Sequence, residues 1–323
     1  MIHIDIEKIF AYIPFYTLLF VVLFDWACLI GRFNGFNSFR KRGMVFAFAC
    51  TTVFMLTRWV QSKHLPLSNL YESFIFLSWS FSLLHISLGF KKQNEWSAAT
   101  TGPGASSTHG FATLSLPEGM QRYTLLVPAL QSHWLTMHVS TMLLSYATLL
   151  CGSPLSISPP IICSNSHSNS FLITTNRNFK GWIRYGEFSK NIYQKMQIKK
   201  IVKKSFYQLS LNLRKYQVVT QLDRWSYQII SLGFSFSTIG ILSGSVWANE
   251  ARGSYWSWDP KETRASVTRL IYAIYLHTRI TNNWQGKVPA AVASMGFSLV
   301  RIRFLGVNLS GIGLHSYGWL IRQ

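Results

Sequence analysis

Charge is scarce in this chain. Asp, Glu, Lys and Arg supply 13% of its 323 residues, where a soluble domain carries roughly 25%. Beside 49% apolar and 15% aromatic residues, that scarcity excludes an ordinary soluble domain and points to a bilayer. Acidic residues are the rarest, 11 against 31 Lys and Arg, for a net charge of +20. Such an excess could suit nucleic acid, but its placement argues against that. Twelve Lys or Arg lie between Arg177 and Arg224, against only Glu187 and Asp223, and this block sits between two apolar spans. Arg32, Arg40, Lys41 and Arg42 also lie between spans. Basic loops flanking spans are the positive-inside pattern, so no nucleic-acid partner is expected. Cysteine is sparse too. Cys28, Cys50, Cys151 and Cys163 lie in or beside apolar runs without a C-x-x-C pair, which excludes a disulfide framework or a cysteine metal site. No cleaved signal peptide is expected, because Asp5, Glu7 and Lys8 occupy the first residues and no A-x-A site follows Ile30. There is no internal repeat.

What is present is a series of long apolar runs: Ile13–Ile30, Met44–Val60, Leu70–Leu88, Leu135–Ile162, Ser226–Trp247, Arg264–His277 and Ala290–Leu309. Most reach the ~20 residues needed to cross ~30 Å of hydrocarbon. With the Arg32–Arg42 loop on the basic, cytoplasm-like face, alternation of the spans requires one more crossing between Lys92 and Leu135. Trp96–Leu116 is the only candidate, although Ser, Thr, Gly and Ala dominate it. The expected architecture is an all-α, polytopic membrane protein of about eight transmembrane helices, seven if the weak span is lost, with both termini on the far side. Residues 1–134 would form the N-terminal helices, 135–163 a helix carrying a far-side histidine, 164–225 a basic loop, and 226–323 a C-terminal core.

One far-side loop concentrates aromatic residues. Trp247 to Glu262 reads WANEARGSYWSWDPKE. It holds Trp247, Tyr255, Trp256 and Trp258, with Gly253 for backbone freedom. Asp259 can cap the helix that follows and Pro260 suits its first turn. Trp and Tyr also favour membrane interfaces, so an interfacial belt is the plain alternative. Four aromatics in one glycine-containing loop favour a platform for a flat apolar ring. Histidine is a natural axial ligand for haem iron, and ionisable residues within membranes are functional candidates. Of nine histidines, three stand out by position. His138 is at the far-side mouth of a span, in HWLTMHV. His315 is just past the last span, in GIGLHSYG. His277 is in IYAIYLHTR, ~27 Å of helix beyond Asp259 and so near the basic face. Each could instead be a packed or interfacial histidine. His64, His85 and His109 could also reach an interface.

WANEARGSYWSWDPKE with the following LHTR, together with GVNLSGIGLHSYG, PLSNLYESFIFLSWSFSLLH and LVPALQSHWLTMHVS, resembles the WWD-motif haem-handling family of the plastid system II cytochrome c synthesis machinery. The resemblance covers nearly the whole chain. It implies haem b held transiently at the lumenal WWD loop, by Trp247, Gly253, Tyr255, Trp256, Trp258 and Asp259, with His138 and His315 as axial ligands. His277 would be the transmembrane ligand, pairing with a histidine of a CcsB-like membrane partner; His133 does not fall on a ligand position. The clients would be apocytochromes with C-x-x-C-H, cytochrome f and soluble c-type cytochromes, whose thiols add to the haem vinyls. No nucleophile or base is needed in this chain, and whether it is the enzyme by itself stays open. The implied location is the thylakoid membrane, with the WWD loop and both termini lumenal and the basic loop stromal. A haem exporter or chaperone without ligation activity is the alternative, as is a non-haem transporter or assembly subunit whose loop is only an anchor.

Several residues fit a membrane poorly. Arg264, Arg269, Arg301 and Arg303 fall inside expected spans, where an arginine costs roughly 2.5 to 3.5 kcal/mol. Arg252 interrupts the aromatic segment, and Pro154, Pro159 and Pro160 are expected to break their span. Arg for Trp and Pro for Leu are both reversed by C-to-U changes in codons. The pattern suggests an organellar gene whose transcript is edited. Arginines that line a cavity or bind propionates are the alternative.

Overall fold

The computed structural model describes residues 2–31, 37–91, 95–121, 132–164, 188–281 and 287–306. Among the described residues every regular element is helical. The long helices are α1 (Ile2–Gly31), α2 (Asn37–Ser62), α3 (Leu70–Lys91) and α4 (Glu95–Gly110), the last extended by a π-turn at Phe111–Ser115. After the short α5 (Glu118–Gln121) come α6 (His133–Ser164), α7 (Phe188–Arg252), α8 (Pro260–Thr281) and α9 (Lys287–Arg301), which ends in a second π-turn, Ile302–Gly306. Among the described residues four segments are both long and apolar enough to cross a membrane: Phe10–Ile30, Ser38–Ser62, His133–Ile162 and Tyr216–Arg252. Large apolar side chains such as Tyr16, Leu23, Trp26, Val60, Leu242 and Leu270 point outward, as lipid contact requires.

The expected spans fall on helices, α1, α2, α3, α6, the apolar part of α7, α8 and, over its described residues, α9. The weak candidate is also a helix: α4 lies against α1 and α3. Its hydroxyls close onto its own backbone, Thr101 Oγ1 donating to the Ser97 carbonyl at 2.8 Å and Thr108 Oγ1 to Gly104 at 2.8 Å. Such back-bonding lets a Ser/Thr-rich segment be buried without orphaned polar atoms. Two expectations are corrected. The basic segment is not wholly loop, because from Phe188 it is the first part of α7. Pro154, Pro159 and Pro160 do not break their span either, since α6 runs through all three. A proline removes one backbone donor, but α6 is held by the most extensive helix–helix interface among the described residues, against α7.

Small residues set that interface. Ile230 packs over Gly152, Leu149 over Gly233, Met142 over Gly240, and the His138 ring over Gly244. Gly240 and Gly244 are one turn apart on α7, the spacing that lets two helix backbones approach closely within a membrane. α9 packs against both α6 and α8, and α3 connects α1–α4 to α6. Buried or half-buried ion pairs tie the bundle. Asp25 pairs with Arg40 at 2.8 Å, Glu72 with Arg58 at 3.8 Å and Asp223 with Arg279 at 2.8 Å.

Candidate functional site

The helix α7 ends in a glycine cap. Gly253 adopts φ +74° and its N–H donates to the Asn249 carbonyl at 2.8 Å, a left-handed stop that favours glycine. Pro260 opens α8, and the Asp259 carboxylate accepts from the Lys261 N–H at 3.3 Å, the capping that the Asp-Pro pair predicts. The loop between is clasped at its base. Arg252, the last residue of α7, donates to Glu262 Oε1 at 2.8 Å and to Ser257 Oγ at 2.7 Å, while Glu262 Oε2 accepts the Ser257 N–H at 2.9 Å. Arg252 therefore closes the loop rather than interrupting it.

This loop roofs a cavity of about 550 Å³, within the size range of small-molecule sites. Trp247, Tyr255 and Trp256 line it, as do His138 and Tyr146 of α6 and Leu65, Leu67 and Ser68 from the loop before α3. Trp247 sits on α7 rather than in the loop. Trp258 is not in the lining. It adopts φ +58°, lies 77% exposed and meets Trp256 edge-on, with ring centroids 6.1 Å apart. That outward placement suits an interfacial anchor.

His138 is half-buried and its ring is fixed. The Gly240 carbonyl lies 2.6 Å from Nδ1, and a carbonyl only accepts, so the hydrogen-bond network assigns the proton to Nδ1. In the neutral ring Nε2 then carries the lone pair, the tautomer a metal ligand requires. His315 lies outside the described residues. His277 is exposed on α8, roughly 24 Å farther along that helix than Lys261, so it does not share the cavity with His138. It stands two residues before Arg279, whose pair with Asp223 joins α7 to α8. His133 is exposed at the start of α6. His109 is a core group, its Nε2 donating to the Ala11 carbonyl at 2.9 Å.

The cavity is also cationic. Among the described lining residues, Lys261, Arg303 and Arg252 stand against the one carboxylate of Glu262. Lys261 precedes its span, and its ammonium is pushed down to about 8, first by burial and then by repulsion from Arg303, with Asp259 partly offsetting both. The arginines separate by position. Arg303 is buried, 5.1 Å over the Tyr146 ring, whereas Arg264 and Arg301 are exposed on the outer surface. Sequence reasoning put all three inside expected spans, with a cavity lining as the alternative that Arg303 fits, and did not find Tyr146, Leu65, Leu67 or Ser68 at the cavity. The PLSNLYES segment held part of the signal: Asn69 Oδ1 accepts the Glu72 N–H at 2.9 Å while Glu72 reaches back to the Ser68 N–H at 2.8 Å. This near capping box sets the loop that carries Leu65 to Ser68.

Fold and cavity together define a multi-pass helical membrane protein with an aromatic, histidine-bearing, cationic cavity at one end of its bundle. The chain belongs to the cytochrome c assembly protein family, which matches residues 67–315. Relatives named "Cytochrome c biogenesis protein CcsA" are 54% identical over 321 residues in Pinus thunbergii, covering 99% of each chain, and 52% identical over 328 residues in Marchantia polymorpha, covering 99% of this chain and all of the relative. Among solved structures, "Cytochrome c Heme Lyase CcmF" shares the fold with a TM-score of 0.59 and 13% identity. The match covers 92% of this chain, which spans 46% of that one.

Proposed function

We propose that this chain holds haem b in transit and presents it for covalent attachment to c-type apocytochromes, as one subunit of a membrane complex in a plastid thylakoid. The observation that carries the reading is His138. Its Nδ1 proton is committed to the Gly240 carbonyl at the wall of a cavity lined by Trp247, Tyr255 and Trp256. That arrangement matches a flat apolar macrocycle with an axial nitrogen ligand. Lys261, Arg303 and Arg252 supply the positive charge that carboxylate substituents need. The cytochrome c biogenesis proteins and the haem lyase with which the chain compares support the same role.

In this reading His315 supplies the second axial ligand. The exposed His277 pairs with a histidine of a CcsB-like partner. The client brings two reduced thiols in C-x-x-C-H, and each adds across one haem vinyl group, S–H to C=C, giving a thioether with no net oxidation. The chain's part is to orient the vinyls, with the loop lumenal and the basic segment stromal. The transcript is edited in this reading, so that the lipid-facing Arg264 and Arg301 are replaced by apolar residues in the mature protein. A cDNA identical to the gene at the Arg264 codon would sink that part.

The function is tested by the absorption spectrum of the complex purified with its CcsB-like partner, wild type beside His138→Ala and His315→Ala. A Soret band that shifts or weakens in both variants and recovers with imidazole is expected. A folded wild-type complex without haem refutes the reading, and haem binding without thioether product leaves an exporter.

A further inference from the structure

A second cavity, of about 430 Å³, opens at the other end of the bundle between α1, α2, α3 and α4. The helix α2 separates the two. Arg40, Lys41 and Arg42 of its first turns line the second cavity, while the loop after its last turn lines the aromatic one. At 26 residues α2 is roughly 39 Å long, so the cavities lie about a bilayer apart. The second cavity's walls are largely apolar, with Met44, Val45 and Ile86 among them, and Asp25 is the sole acidic group among the described lining residues.

His85 stands in this wall, and its tautomer follows from its neighbours. Thr101 Oγ1 donates to the Ser97 carbonyl at 2.8 Å, which uses its only proton. At 3.0 Å from His85 Nδ1 the same oxygen must accept, so Nδ1 carries the hydrogen and Nε2 the lone pair. His85 is half-buried, and this tautomer is the one an iron ligand at Nε2 requires. The neighbouring carboxylate is also incompletely used. Asp25 is 1% exposed, and while its Oδ1 takes Arg40, its Oδ2 has no hydrogen-bond partner. A methyl at Gly102 would sit 3.5 Å from that Oδ2 and 3.8 Å from His85 Cε1, so carboxylate and imidazole both border this one position. Because Arg40 neutralises Asp25, Lys41 and Arg42 leave the cavity with positive charge, and both are exposed.

We infer that this cavity is a reception site for haem on the face opposite the aromatic loop, with His85 Nε2 as axial ligand and Lys41 and Arg42 facing the two propionates. An apolar wall, one oriented lone-pair nitrogen and two cations match an amphipathic dicarboxylate macrocycle. A phospholipid would use the cations but not the imidazole. The inference rests on the haem reading and deepens it. It is independent of His277, whose helix α8 packs on α7 and α9, away from this cavity.

The test titrates haemin into the purified complex, comparing wild type, His85→Gly, Lys41→Gln/Arg42→Gln and His138→Ala, and reads bound haem per protein and the axial-ligand signature by resonance Raman. The expected result is at least a twofold loss of bound haem in His85→Gly, recovered by imidazole, with haem affinity about tenfold weaker in the double variant. The His138→Ala protein should keep the His85 signature. Wild-type haem content and spectrum in His85→Gly would overturn the inference while leaving the haem reading intact, as would a loss that imidazole does not restore. Unchanged haem with loss of co-purified anionic phospholipid would make the cavity a lipid site and overturn it equally. A wild-type complex that takes up no haem removes both.

Discussion

Gly244→Ala should disable the aromatic cavity without unfolding the bundle. A Cβ at this position would overlap His138 Nδ1 and lie 2.7 Å from Cε1, closer than real Cβ contacts come, and both helix backbones are tightly apposed there. The imidazole would have to swing away, breaking its 2.6 Å bond to the Gly240 carbonyl. Such a bond contributes about 0.5–1.5 kcal/mol, and overpacking costs about 1–3 kcal/mol. If the strain is relieved by moving the ring, the penalty falls on ligation rather than folding. A loss of about 1–3 kcal/mol corresponds to roughly 5- to 150-fold weaker haem binding. The assay is haemin titration with detection of the Soret band, beside Gly233→Ala as reference. Gly233 lies on the same α6–α7 interface, where a Cβ would be 2.8 Å from Leu149 Cδ2, but its position is roughly 16 Å farther along α7. It should lower stability and leave the spectrum unchanged. A Gly244→Ala protein with wild-type affinity and spectrum would refute the claim that this glycine positions the His138 ring.

Two further outcomes follow from the charged groups. Because Lys261 is held down to about 8, its positive charge is present below that pH and lost above it. Binding of a dicarboxylate macrocycle should therefore weaken as pH rises from 7 to 9, by at most about tenfold per unit above 8, and Lys261→Gln should flatten the profile; a wild-type titration indifferent to pH refutes a contact between Lys261 and the ligand. Arg58→Ala should destabilise the bundle by about 3–5 kcal/mol, because it leaves the buried Glu72 without its cation and removes the guanidinium stacked 5.0 Å over Tyr71. Unfolding in mild detergent would read this, and a loss below about 1 kcal/mol would show that Glu72 is held by its Ser68 bonds alone.

The all-helical class and the helices beneath the apolar runs were legible in the sequence because a bilayer demands uninterrupted apolar length and supplies no partner for loose backbone groups. Even the Ser/Thr-rich α4 could be located, by the alternation of faces rather than by its composition. The capping of α8 at Asp259-Pro260 was legible because it depends on adjacent residues only. The prolines of α6 were misread because helix continuation there depends on α7, which lies far away in the chain.

Composition and local pattern by themselves determined a membrane-spanning helical protein with one aromatic loop and a short set of candidate histidines. Only the tertiary structure decided which groups share a cavity. It separated Trp258 from Trp247, Tyr255 and Trp256, brought Leu65 to Ser68 beneath the aromatic loop, and buried Arg303 while leaving Arg264 and Arg301 outside. It also assigned the tautomers of His138 and His85, each through a neighbour on a different helix. Helical periodicity tells which residues share a face of one helix. The rotation and crossing of one helix against another depend on where glycines permit close approach, as at Gly240 and Gly244 against α6, and those meetings join residues about a hundred positions apart.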